Sequence, residues 1–70
     1  MNFIEKQASR ELTQALIEAN CAEFNLEVRK LLDLLESGVI DEYATVTRLL
    51  ELRQALAIAN QRLVRTHQQN

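Results

Sequence analysis

The chain has 70 residues, with eight Lys or Arg against ten Asp or Glu for a formal net charge of −2, no Pro, a single Gly and 4% aromatic residues. That length holds one domain at most, and the mild acidity argues against a strongly basic binder of nucleic acid or membrane surface. Cys21 is the only cysteine, so an intrachain disulfide is excluded and a core of this size has no covalent staple.

Leu, Ala, Glu, Gln and Arg dominate the composition, which favours helix over strand. The first helix is expected over about 3–36, opened by a capping-box-like Asn2 and Glu5. Within it Ile4, Ala8, Leu12, Ala15, Ala19, Ala22 and Leu26 form one apolar stripe, and Ile17, Cys21, Phe24, Val28, Leu31 and Leu35 form a second. At 100° per residue the two stripes lie on nearly opposite sides of one helix, and a single neighbour cannot cover both. Either the helix is continuous and sandwiched, or it breaks near residues 20–23 to give a three-helix bundle. Ala, Glu and Phe supply no stop signal there, so the continuous helix is the preferred reading.

The only strong punctuation is the run Ser37-Gly38-Val39-Ile40-Asp41. Gly38 suits the left-handed position of a Schellman stop, with Val39 folding back toward Leu34, and Asp41 suits the N-cap of the next helix. The second helix is expected over about 42–66, shorter than the first by on the order of 13 Å. Leu49, Leu52, Leu56, Ala59 and Leu63 make its first apolar stripe, and Tyr43, Val46, Leu50, Ala57 and Val64 a second beside it. Arg53 and Asn60 fall in or between these stripes, where a polar side chain fixes register or sits at the bundle edge.

These elements predict an all-α fold, a long antiparallel helical hairpin filling residues 1–70 as one domain and self-associating into a four-helix-type bundle. A single hairpin of 70 residues seldom buries enough apolar surface to offset an ordering cost of about 1.5 kcal/mol per residue. The Ala-rich first stripe is the expected oligomer interface through Ala8, Ala15, Ala19 and Ala22 with Leu12 and Leu26, because small side chains let helix axes approach closely. Charge divides along the chain: residues 1–43 carry four bases against nine acids, whereas residues 44–70 carry four Arg against Glu51. An acidic first helix against a basic second one favours antiparallel pairing.

Catalysis is the least supported function class. The one His, His67, lies near the C-terminus, and Cys21 sits in an apolar stripe with no base or cation beside it, so the expectation is no enzyme, no metal and no cofactor. The favoured reading is a small regulatory or protein-interaction chain whose partner is itself and, through Leu32, Leu34 and Ile58, another protein. The alternative is an RNA- or DNA-binding regulator that uses Arg48, Arg62 and Arg65, which share a band about 100° wide on the second helix. No uninterrupted apolar run nears the roughly 18 residues that span a bilayer, and Met1-Asn2-Phe3-Ile4-Glu5-Lys6 lacks the order of a signal peptide. A cytoplasmic location with no membrane partner is therefore expected.

In layout alone, with no shared motif, the helix-Gly-helix arrangement resembles the subunit of the Rop-type plasmid copy-number regulators, which implies paired hairpins and RNA binding. The stretch 31–43, a Leu-rich helix end followed by a Gly-hydrophobic-Ile turn and an acidic-aromatic start, is similar to short C-terminal oligomerisation hairpins. It departs from them in lacking a second helix rich in Glu and Lys.

Overall fold

The computed structural model describes residues 3–68, with side chains to residue 66. Two helices, α1 (Phe3–Glu36) and α2 (Glu42–Gln68), lie against each other as a hairpin about 55 Å long, 16 Å wide and 8 Å thick at the Cα level. The described residues contain no strand. The expected bounds of α1 hold, and α2 runs two residues beyond its expected end. The proposed Asn2 cap lies outside the described residues.

The turn is built from local chemistry. Gly38 takes φ +78°, and the N–H groups of Val39 and Gly38 donate to the carbonyls of Leu34 and Leu35 at 3.0 and 3.1 Å, the paired bonds of a Schellman stop. Three residues later the Asp41 carboxylate accepts from the Ala44 N–H at 2.8 Å and caps α2. Thr45 donates its hydroxyl to the Asp41 carbonyl at 2.8 Å and is 3% exposed, which locks the first turn of α2 beneath the loop.

No break interrupts α1, so the three-helix alternative is overturned. Residues 20–23 are good enough helix formers, and the Asn20 side chain is occupied elsewhere instead of competing for its own backbone. Its Nδ2 donates to Asn60 Oδ1 at 3.1 Å, a half-buried bond across the hairpin. Antiparallel helices keep a fixed register, so this pair sets Phe24 level with Leu56, Ile17 level with Leu63 and Leu31 level with Leu49. All six are half-buried, as are Cys21, Val28, Leu35, Leu52 and Ala59, and together they form the seam.

In the same register Gln68 comes level with Leu12, and residues 3–11 of α1 extend past the end of α2. Phe3 and Ile4 in this overhang are 77% and 75% exposed. Nowhere among the described residues is an apolar side chain fully buried; Thr45 alone reaches that state. The hairpin thus has a seam where a folded domain of larger girth would have a core.

Two ion pairs among the described residues, Lys30 to Glu27 at 3.2 Å and Arg48 to Glu51 at 3.0 Å, each link residues three apart on one helix and do not cross the seam. Pairs this exposed contribute about 0–1 kcal/mol each, and what α1 and α2 share is a diffuse attraction between an acidic and a basic rod.

Candidate interaction surfaces

Because the second stripe of α1 faces α2, its first stripe points away from the hairpin. Ile4, Ala8, Leu12, Ala15, Ala19, Ala22 and Leu26 are all exposed, along a helix length of about 33 Å. The structure therefore brings the expected interface residues together on one continuous outer face. On α2 the second stripe is also left open at Tyr43, Val46, Leu50 and Ala57, while Val64 is half-buried. This stripe lies about 110° from the seam and flanks the hairpin instead of lying behind it.

Between the helices runs a shallow groove of about 280 Å³, floored by Phe24, Leu52, Leu56 and Ala59. Its α1 rim is Glu23 and Glu27; its α2 rim is Arg48 and Ala55. The alanines keep it open, since a longer side chain at either position would fill it. Glu27 and Arg48 are each engaged along their own helix, so the rims do not bridge the groove.

Leu32, Leu34 and Ile58 are exposed, as their positions off the main stripes imply. They do not form one patch. Two residues of helix put Leu32 and Leu34 about 200° apart, and the register places Ile58 roughly 15–18 Å from them along the hairpin. None of the three lines the groove.

Arg48, Arg62 and Arg65 are exposed on one band of α2, spread along about 25 Å. Arg48 is already paired with Glu51. Arg53 is exposed, whereas Asn60 is half-buried in the seam, which separates two residues that sequence spacing had grouped. Asn20, the partner of Asn60, gave no signal in the sequence beyond its presence near the supposed break. A pair 40 residues apart becomes visible only once the hairpin register is known.

Cys21 is half-buried in the seam with a free thiol. Among the described residues no three His, Cys, Asp or Glu side chains converge to hold a metal, and no helix is long and apolar enough to cross a membrane. The side chain of His67 lies outside the described set. Comparison of the chain with protein-family models, with curated proteins and with solved structures finds no match in any of the three.

Proposed function

We propose that the chain is a small non-enzymatic interaction or regulatory protein that works as a homo-oligomeric helical bundle of four-helix type. One observation carries this reading. The chain exposes 5741 Å², whereas a compact monomer of 8.1 kDa exposes about 4,500 Å². The excess of roughly 1,200 Å² per chain, with no fully buried apolar side chain among the described residues, supports a hairpin whose core is completed by a second copy. Two copies that each covered that excess would bury about 2,400 Å² in total, within the span of permanent homodimers. We place the protein in the cytoplasm, where a single part-exposed thiol suits the reducing conditions.

Light scattering across a dilution series, at low and high salt, tests the reading. A mass of at least twice 8.1 kDa that persists into the low micromolar range is the expected result. A folded species of 8.1 kDa at every concentration would overturn it.

The nucleic-acid reading draws on the shared exposure of Arg48, Arg62 and Arg65, a set that a two-fold dimer would double. Replacing the three with Ala leaves the helical hairpin intact, since none lies in the seam. If the wild-type chain binds RNA or DNA and the variant does not, the basic face is the functional one. If the wild-type chain binds neither at physiological salt, the protein-interaction reading stands.

A further inference from the structure

We propose that the outer face of α1 is a two-fold seam with a second copy of this chain, in which the two α1 helices run antiparallel and cross at Ala15. The inference rests on the self-association argued above and adds its place and direction.

The face is apolar, exposed and bounded by large side chains, with Ile4 at one end, Leu26 at the other and Leu12 between them. Its spacing is close to symmetric about Ala15, with Leu12 three residues before it and Ala19 four after it, one residue off an exact match. Ala8 and Ala22 stand seven residues to either side, and Ile4 and Leu26 stand eleven to either side. A two-fold interface requires that whatever residue i meets on the partner, that residue meets i in return. An antiparallel crossing at Ala15 fulfils this by setting Ala15 on its own copy, Ala8 on Ala22 and Ile4 on Leu26. Crossed helices are closest at the crossing point, where Ala15 meets its copy and each Leu12 falls beside an Ala19 of the partner, and they diverge toward the larger Ile4 and Leu26.

Direction follows from the overhang. Residues 3–11 lie beyond the level of Gln68, where α2 ends. In a parallel pair the two overhangs would support only each other. In the antiparallel pair each lies along residues 19–27 of the other α1, a segment backed by its own α2, and the helix dipoles oppose. The area agrees, because the roughly 1,200 Å² by which each chain exceeds a compact monomer exceeds the ~800 Å² per partner of a standard interface.

Disulfide trapping tests the seam in a Cys21→Ala background, with fold and mass followed by circular dichroism and light scattering. Ala15→Cys, Ala8→Cys, Ala22→Cys and, on the flank of α2, Leu50→Cys are each oxidised mildly. Facing Cα atoms of a close seam fall within the roughly 7 Å that a disulfide spans. We expect Ala15→Cys to convert mostly to linked dimer. Ala8→Cys and Ala22→Cys, each about 21 Å from its own copy, stay unlinked alone and link when mixed. A dimeric mass with Ala8→Cys linking to itself would overturn the antiparallel seam in favour of a parallel one. A dimeric mass with only Leu50→Cys linking would move the contact to α2 and overturn the seam, leaving self-association in place. A monomeric mass would overturn both.

Discussion

Gly38 holds φ at +78°, and a Cβ built on it would meet nothing within 4 Å. The whole cost of Gly38→Ala is therefore backbone strain, about 1–2 kcal/mol. Gly38→Asn costs less, because a short polar side chain tolerates the left-handed region. Urea unfolding of the three chains checks the order Gly, Asn, Ala; equal midpoints would mean that the Schellman geometry is not what stops α1. The same turn shows why this part of the fold was readable in advance. The Gly38 stop and the Asp41 cap act within three or four residues of themselves, through Val39 N to Leu34 O and Ala44 N to Asp41 Oδ1, so the sequence window that encodes them is as local as the bonds they make.

Between the helices, the bond from Asn20 to Asn60 is the polar mark in an otherwise apolar seam. Removing one partner leaves the other half-buried without its bond, so Asn60→Leu is expected to destabilise by about 1–2 kcal/mol. The double variant Asn20→Leu, Asn60→Leu should recover most of that loss and give up register instead, because Leu at both positions packs equally well when one helix slides by a turn. Melting of the single and double variants, with amide spectra to count conformers, separates the two effects; a double variant less stable than the single one would show that the pair is not a register device. At this scale legibility was partial. The stripes of α1 and α2 followed from periodicity, and the expectation that the first stripe of α1 lies off the hairpin came with them. What periodicity could not supply was the level of one helix against the other, and with it the partner of Asn60 and the separation of Arg53 from the seam. Register is a property of the pair, set by the turn and by contacts some 40 residues apart, and no window of one helix contains it. The scatter of Leu32, Leu34 and Ile58 is partly of this origin: the roughly 200° between Leu32 and Leu34 follows from helix spacing alone, whereas the distance of Ile58 from them needs the register.

At the level of the whole molecule, folding and association become one equilibrium if the seam argued for α1 completes the core. Stability then depends on concentration, because unfolding releases two chains from one dimer. Two chains of 70 residues unfold with an enthalpy of about 100 kcal/mol, taking roughly 0.7 kcal/mol per residue. A tenfold rise in concentration should then raise Tm by about 5 °C near 60 °C, since the shift in 1/Tm is R ln 10 divided by that enthalpy. A hairpin that folds alone would show no such slope. Salt gives the second handle. The α1 seam is flanked by Glu11 and Glu18 on one side and by Glu5 and Glu23 on the other, and the antiparallel register sets Glu11 near Glu18 and Glu5 near Glu23 of the second copy. Like charges so placed repel weakly and are screened within about 10 Å at 0.1 M salt, so the dimer should tighten as salt rises. Contact through the basic band of α2 with a polyanion responds in the opposite sense, because counterion release makes it weaken with salt. Scanning calorimetry at three concentrations and two salt levels therefore reads both claims at once: a Tm that climbs with concentration and with salt supports the acid-flanked α1 seam, and a Tm independent of concentration removes it.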